Sequence, residues 1–239
     1  MHLTKVTLHP EKYPTSKYYP FNLDIFRKTE GIEFKTPVTF FVGENGSGKT
    51  TLLRAICRRS NIFIWEDTSR NRYEVNPYEE ELYKYIDVEW TDSFVPGSFF
   101  SSQIFQDYAR FLDEVAAANP GILQYFGGSS LMTKSHGQSL ISFFTARYKI
   151  KGIYLMDEPE TALSPKSQLE LLKVLKKMSD GGHAQFIIAT HSPILLAYPG
   201  ATLYTFDEVP IKAVKYEETE YYQVYKDFMN NKDRYLKGL

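Results

Sequence analysis

Eight consecutive residues, Gly43 to Thr50, form a glycine-rich pattern that ends in Lys-Thr. Phosphate oxygens need several donors that converge on a tight curve, and glycines let the backbone turn sharply enough to point successive N–H groups inward. The pattern follows an apolar run and precedes a helical one, which is the context of a phosphate-binding (Walker A) loop. Because the N-terminus of the following helix adds partial positive charge, the pattern predicts a nucleoside-triphosphate site.

The residues of this loop have separate expected roles. Lys49 should reach the β- and γ-phosphates, Thr50 should hold Mg²⁺ through its hydroxyl, and Thr51 is placed for the α-phosphate. The other residues expected to bind the nucleotide are Asn45, Gly46, Ser47 and Gly48. The predicted ligands are therefore ATP and Mg²⁺.

Two acids, Asp157 and Glu158, end a second apolar run, Ile153 to Met156. A carboxylate at the carboxyl end of a parallel strand lies beside the phosphate loop, where α/β sheets bind ligands. Asp157 is expected to orient the Mg²⁺ shell, and Glu158 to orient the attacking water or to accept its proton. Alone, the run also fits a strand before a solvated turn, but the upstream loop favours the catalytic interpretation.

His191 follows a third apolar run, Phe186 to Ala189. A lone histidine is more often structural. At the end of a core strand, however, its imidazole can hydrogen-bond a γ-phosphate, so His191 joins Glu158 and Lys49 as a predicted catalytic residue.

The elements that must position these residues follow from apolar periodicity. Residues 13–26 are predicted to form an ordered loop, and residues 70–81 a polar surface segment. Residues 98–100 form an apolar run. Strands are predicted at 3–8, 32–34, 38–42, 85–90, 153–156, 186–189, 201–206 and 211–214. Helices are predicted after the phosphate loop, at 105–115, at 165–178 and, as an amphipathic closing helix, at 221–228.

Composition limits the class of protein. The 239 residues include 43% hydrophobic and 24% charged residues, with a formal net charge of -1, which does not fit a strongly basic nucleic-acid-binding domain. Cys57 is the only cysteine, so disulfide frameworks and cysteine zinc clusters are excluded and a reducing, cytoplasmic setting is expected. No signal peptide or membrane-spanning run is apparent, and no direct membrane insertion is expected.

These motifs, in this order, resemble the ATP-binding-cassette (ABC) class of P-loop ATPases. The resemblance implies a signature loop, for which residues 134–138 are the candidate: Ser135, Gly137 and Gln138 match the class pattern, while Lys134 and His136 depart from it. It also implies a D-loop, which residues 162–165 match.

The class further implies a glutamine loop, whose side chain binds the metal and nucleotide. Gln103 is the candidate, with Gln106 and Gln124 as rivals. An aromatic residue upstream of the phosphate loop stacks on adenine in many ABC ATPases. Tyr13, Tyr18, Tyr19 and Phe21 precede the loop, but in a chain so rich in aromatic residues packing is the preferred explanation for each.

Longer runs narrow the resemblance to a stand-alone bacterial family of AAA/ABC-like ATPases, related to the SMC/RecF-type ATPase heads of chromosome-maintenance and recombination-repair proteins. These runs are residues 41–50, 157–165, 186–195, 198–201 and 216–220. The family implies an α/β P-loop fold, with a mostly parallel core sheet flanked by helices, N-terminal antiparallel strands and a helical sub-lobe. One domain, residues 1–239, is expected, with residues 65–145 as an inserted sub-lobe that carries the signature loop.

The resemblance implies that ATP is bound between two subunits. One subunit would hold ATP on Lys49, Thr50 and Asp157, while Ser135 and Gly137 of a second would cover the γ-phosphate. An ATP-dependent homodimer is therefore expected, acting on an unknown protein partner. Nucleic acid is also a candidate partner, because arginines at 54, 58, 59, 70 and 72 form either a basic patch or a solvated helix face.

Three functions remain open from the sequence. The leading one is a soluble ATPase that hydrolyses ATP to ADP and phosphate, in DNA repair and maintenance or in defence. The alternatives are the nucleotide-binding subunit of a membrane transporter, and an ATP-gated binding module with little turnover.

Overall fold

The central feature of the fold is a six-stranded sheet in the order β5-β6-β7-β3-β8-β9, in which the first five strands are parallel and β9 is antiparallel to β8. The computed structural model describes residues 1–65, 76–126, 128, 130 and 136–238, without the side chains of residues 103, 104, 106, 107, 126 and 136. The strands are β1 (Leu3–Leu8), β2 (Gly31–Glu33), β3 (Val38–Val42), β4 (Ile86–Trp90), β5 (Gly97–Ser101), β6 (Gly152–Asp157), β7 (Ala184–Ala189), β8 (Thr202–Thr205) and β9 (Lys212–Val214). This architecture confirms the predicted α/β fold with a mostly parallel core sheet.

Helices cover both faces of this sheet. They are α1 (Asp24–Lys28), α2 (Lys49–Arg59), α3 (Ser102–Ala118), α4 (His136–Arg147), α5 (Pro165–Asp180), α6 (Pro193–Leu196), α7 (Glu220–Asn230) and α8 (Lys232–Leu236). In the described part of the chain, none of these helices is both long and apolar enough to cross a bilayer.

Strands β3, β6 and β7 are buried along their whole length, because both faces of the sheet are covered. Successive side chains of β7 point to opposite faces: Ile187 packs in the core that contains α2, and Phe186 and Ile188 pack in the core that contains α4 and α5. The sheet is thus held between two apolar layers, which keeps the ends of its strands in fixed positions.

A second, antiparallel sheet has the order β2-β1-β4, as predicted for the N-terminal strands. The buried side chain of Gln185, on β7, joins it to the central sheet. Gln185 Oε1 accepts hydrogen bonds from the backbone N–H groups of His2 and Leu3 at 2.7 and 2.8 Å, and its Nε2 donates to the Leu3 carbonyl at 2.9 Å. One amide therefore satisfies three backbone groups of the incoming strand.

Two predicted segments differ from the structure. The stretch at 13–26, predicted as a loop, contains the beginning of α1, whose Ile25 and Phe26 are buried. The run at 98–100 lies in the edge strand β5, paired in parallel with β6. Both elements are five residues long, too short for their own periodicity to be distinctive, and both depend on tertiary packing.

The predicted closing helix is present as α7, but its apolar residues are not in the core. Val224, Tyr225 and Phe228 are between 37% and 50% exposed. Tyr221, at the start of the same helix, is the exception, since its side chain reaches the edge of the central sheet. The limits of the sub-lobe, 65–145, stay a prediction.

Candidate functional site

The site lies along one edge of the central sheet, where the parallel strands end. β3 leads into the loop that begins at Gly43, β6 ends at Asp157, and β7 is followed by Thr190 and His191. The pairing of Asp157 with Ala189, and of Ala189 with Phe41, brings these strand ends side by side. The parallel register alone therefore gathers residues that are far apart in the chain.

The loop between β3 and α2 needs glycine at defined points. Gly46 and Gly48 have φ angles of 80° and 105°, in the left-handed region that glycine adopts without strain. A Cβ atom at Gly48 would also lie 2.7 Å from Phe26 Cζ, whereas one at Gly46 would meet nothing within 4 Å. Gly48 thus lets the start of α2 approach the aromatic side chain beneath it.

Asp207 holds this loop from the end of β8. Its Oδ1 accepts a hydrogen bond from the Glu44 backbone N–H at 2.6 Å. Asp207 belongs to none of the sequence motifs, and its position just after a predicted strand is the only signal for it in the sequence.

Lys49 lies inside the curve of the loop and is only 5% exposed. Its ammonium donates to the carbonyl oxygens of Gly43 at 2.6 Å and Glu44 at 2.8 Å. Burial lowers the pKa of Lys49, and the nearby carboxylates of Glu158 and Asp207 oppose that shift. The surrounding acids therefore favour the charged form that a phosphate group requires.

Thr50 and Asp157, the two residues that the sequence predicts as ligands of a divalent cation, are in direct contact. The Thr50 hydroxyl donates to Asp157 Oδ1 at 2.9 Å. Burial raises the pKa of Asp157 from 3.8 to about 6, against the lowering effect of the Thr50 hydrogen bond. Hydroxyl and carboxylate oxygens are the hard ligands that Mg²⁺ prefers, so this donor set fits the ion.

Glu158 is fixed by an unusual backbone conformation. Its φ and ψ are 46° and 54°, in the left-handed region, and its N–H donates to the Ala189 carbonyl at 2.9 Å. Its Oε1 lies 3.3 Å from His191 Nε2. The structure thus brings together the two residues predicted to act on water and on the γ-phosphate.

The imidazole of His191 has several charged neighbours. Burial and the Lys49 ammonium lower its pKa from the ordinary value of 6.5, while the Glu158 carboxylate raises it. Its Nδ1 lies 2.6 Å from the hydroxyl of Tyr221, a residue that belongs to none of the sequence motifs.

Glu160 supports His191 through the backbone. Its Oε1 accepts a hydrogen bond from the His191 N–H at 2.6 Å, and burial raises the pKa of this carboxyl. This contact positions the loop after β7.

The predicted D-loop is tied to the same loop by one buried amide. Gln168 Nε2 donates to the Leu163 carbonyl at 3.1 Å, and Gln168 Oε1 accepts from the Ser192 hydroxyl at 2.5 Å. Ser164, directly before Pro165, caps α5 by accepting a hydrogen bond from the Ser167 N–H at 3.2 Å.

For three predicted nucleotide-binding residues, the structure shows no contact with the phosphate loop among the described residues. Gln103 lies in the first turn of α3, just after β5 ends beside Asp157, but its side chain is outside the described part of the structure. Ser135 is outside the described residues. Gly137 lies in the first turn of α4, where a Cβ atom would be 3.0 Å from Ser167 Oγ on α5.

The upstream aromatic residues divide into two groups. Tyr13 and Phe21 pack against each other and against Tyr85, with ring centroids between 4.7 and 5.9 Å apart, so packing explains them. Tyr19 instead reaches the phosphate loop through a short hydrogen bond between its hydroxyl and that of Thr51. Tyr19 and Thr51 line a cavity of about 220 Å³ beside α2.

The arginines of α2 are ion-paired. Arg54 and Arg58 contact the Glu80 carboxylate at 3.6 and 2.5 Å, and Arg59 contacts Asp87 at 2.6 Å. The paired carboxylates offset the positive charge of this face, which favours the interpretation of a solvated helix face. Residues 70 and 72 are outside the described residues.

Comparisons with known proteins show similarity in two stretches of the sequence and in the fold. Residues 21–86, which include the phosphate loop, match a family model described as an AAA domain, and residues 131–196, which include Asp157, Glu158 and His191, match one described as an AAA ATPase domain. The cbiO1 structure from Clostridium perfringens, part of the ABC transporter complex cbiONQ, is 18% identical, with 98% of each chain covered and a TM-score of 0.50. The chain has the fold of an ABC/SMC-like P-loop ATPase.

Two further structures show the same fold. An ATP-binding cassette of an ABC transporter, MJ1267 in its ADP conformation, is 16% identical, with 99% of each chain covered and a TM-score of 0.50. An SMC head bound to the C-winged helix domain of ScpA is 12% identical, with 90% of this chain and 98% of that chain covered and a TM-score of 0.51. A search of curated proteins found no match. The expected resemblance to ABC and SMC-type ATPases is thereby confirmed at the level of the fold.

Proposed function

We propose that the protein binds ATP with Mg²⁺ and hydrolyses it to ADP and phosphate. The observation that carries this proposal is the meeting of three groups around one loop: the Lys49 ammonium, the Thr50–Asp157 pair and the Glu158–His191 pair. Each group supplies a different requirement of phosphoryl transfer, namely phosphate binding, metal binding and positioning of water.

Phosphate binding is assigned to the loop and the start of α2. The backbone N–H groups of residues 45–51 would surround the phosphates, and the Lys49 ammonium would exchange its two carbonyl contacts for phosphate oxygens. The ammonium is held inside the loop by those carbonyls, so it is already directed at the place where the phosphates would bind.

Metal binding is assigned to the Thr50 hydroxyl and, directly or through water, to the Asp157 carboxylate. Gln103 remains a candidate for the same shell. When bound, Mg²⁺ would neutralise negative charge on the phosphate oxygens. A hydrogen bond holds the Thr50 and Asp157 oxygens 2.9 Å apart, which reduces the cost of arranging them around an ion.

Activation of water is assigned to Glu158 and His191. Glu158 is held at the end of β6 by its backbone hydrogen bond to Ala189, and its carboxylate can take a proton from water. His191 Nε2 lies beside that carboxylate and can donate a hydrogen bond to the γ-phosphate when it carries a proton. Both residues would be unnecessary in a module that only binds ATP, so hydrolysis is the preferred function.

We propose further that the site is completed by a second copy of the chain. Gly137 lies at the start of α4, which packs on α5, and Ser135 directly precedes that helix. In a head-to-tail homodimer these two residues would cover the γ-phosphate of the opposite subunit, so ATP would control association. A cytoplasmic location and an unidentified protein partner complete the proposal, with DNA as a candidate ligand in repair, maintenance or defence.

The test is ATP hydrolysis, with molar mass measured by light scattering in the same samples, with and without DNA. Glu158→Gln should bind ATP, hydrolyse it at least about a hundredfold more slowly and accumulate as a dimer. The matched control is Glu170→Gln, because Glu170 is an exposed acid on α5 that forms a salt bridge with Lys173. This variant should behave like the wild type. Absence of hydrolysis in the wild type would refute the enzymatic proposal. If the wild type hydrolyses ATP but the Glu158→Gln variant stays monomeric with ATP, the proposal of an ATP-dependent dimer is refuted.

A further inference from the structure

Tyr221, on α7, connects His191 to the phosphate loop. Its hydroxyl lies 2.6 Å from His191 Nδ1 and donates to the Gly43 carbonyl oxygen at 3.2 Å. The two rings meet edge to face, with centroids 5.2 Å apart. Tyr221 therefore touches the catalytic histidine on the side opposite to Glu158.

The directions of these hydrogen bonds constrain the histidine. A carbonyl oxygen can only accept, so the phenol proton is used at Gly43. The phenol oxygen then accepts at His191, and Nδ1 can donate to it only when Nδ1 carries a proton. Nε2, which lies 3.3 Å from Glu158 Oε1, becomes the nitrogen that gains or loses a proton.

We propose that Tyr221 is a positioning residue for hydrolysis, which keeps a proton on Nδ1 of His191 and so presents Nε2 as the proton-exchanging atom beside Glu158. This inference rests on the proposed ATP hydrolysis and adds to it a residue outside the sequence motifs. Nε2 then faces the Glu158 carboxylate, while the Nδ1 proton stays on the Tyr221 side.

Two features of the chain support this role. The Thr219 hydroxyl caps α7 by accepting from the Tyr222 N–H at 3.3 Å, and the Tyr216 hydroxyl donates to the Pro193 carbonyl at 2.9 Å. These contacts fix the start of α7 against the segment that follows His191. Burial and the nearby Glu44 raise the pKa of the Tyr221 phenol well above its ordinary value, so the phenol keeps the proton that it donates.

The first test measures the histidine directly. In the full-length, ¹⁵N-labelled protein, the two ring nitrogens of His191 are observed by NMR, with His191→Gln to assign its signals among the five histidines. The wild type should show a proton on Nδ1, and Tyr221→Phe should shift His191 toward the Nε2–H form. Tyr225→Phe, the same change at an exposed position of α7, is the control and should leave the signals unchanged. A wild-type His191 in the Nε2–H form, or a Tyr221→Phe spectrum like that of the wild type, would overturn the inference.

The second test separates turnover from binding. Tyr221→Phe should lower kcat roughly three- to tenfold, the range expected for one lost hydrogen bond, and leave KM for ATP unchanged. A raised KM with an unchanged kcat would show that Tyr221 acts on binding through the loop, which contradicts the proposed role. If the wild type hydrolyses no ATP, the proposed function fails, while the NMR experiment still decides whether Tyr221 controls the proton on His191.

Discussion

Because the carboxyl group of Asp157 is buried, its ionisation should make the folded protein less stable at neutral pH than at acidic pH. The residue is 8% exposed, and burial raises its pKa from 3.8 to about 6. One pKa unit corresponds to about 1.4 kcal/mol, so ionisation of Asp157 costs the folded state about 3 kcal/mol relative to the unfolded chain.

The sign of the pH dependence follows from the raised pKa. Between about pH 4 and pH 6 the folded state holds a proton on Asp157 that the unfolded chain has released. The stabilising contribution of this group is therefore complete below about pH 4 and is lost as the pH rises through 6. Asp157→Asn cannot ionise, and its amide oxygen can still accept the Thr50 hydrogen bond. At pH 7.5 the free energy of unfolding of this variant should exceed that of the wild type by up to about 3 kcal/mol.

Urea denaturation between pH 4 and pH 8, with EDTA to remove divalent cations, measures this difference. Asp180→Asn, at a site 61% exposed and paired with Lys176, is the control and should change stability by less than about 1 kcal/mol. The gain for Asp157→Asn should shrink toward zero near pH 4. A variant less stable than the wild type at pH 7.5, or a difference that does not vary with pH, would refute the reasoning. The same variant should lose Mg²⁺-dependent ATP binding, since a required ligand oxygen is replaced by an uncharged one.

Two further predictions concern the framework of the site. Gly48→Ala combines a left-handed φ with a Cβ 2.7 Å from the Phe26 ring, so it should destabilise the protein by about 2–4 kcal/mol in urea unfolding and abolish ATP binding. Gly46→Ala, strained but free of that contact, should cost only about 1–2 kcal/mol, and equal losses for the two would contradict the argument from Phe26. Gln185→Leu leaves three backbone groups of the N-terminal strand without their partner and should destabilise by about 3 kcal/mol or more, whereas unchanged stability would show that another group holds that strand.

The effect on function should differ among these variants. Gln185 lies in the body of the sheet, so residual folded Gln185→Leu protein should bind ATP with the affinity of the wild type. Gly48 forms the site itself, so Gly48→Ala protein should fail to bind ATP even where it is folded. This contrast separates loss of the site from loss of the fold.

The sequence alone determined the features that depend on short stretches of chain. The loop from Gly43 to Thr50 can be recognised in the sequence because its glycines and its Lys-Thr ending lie within eight consecutive residues. The buried strands β3, β6 and β7 can be predicted because strands that are covered on both faces consist mainly of apolar residues. From these elements and the resemblance that they carry, the P-loop fold could be predicted, and so could the proximity of Thr50 and Asp157.

Only the tertiary structure revealed the polar residues that hold these groups in place. Asp207 binds the loop across 163 residues of chain, Tyr221 reaches Gly43 across 178, and Gln185 joins β7 to the N-terminal strand across 182. An aspartate, a tyrosine or a glutamine after or within an apolar run has no local pattern that distinguishes it from a surface residue. These side chains acquire their roles because the parallel sheet brings its strand ends to one edge, and that edge exists only in the folded chain.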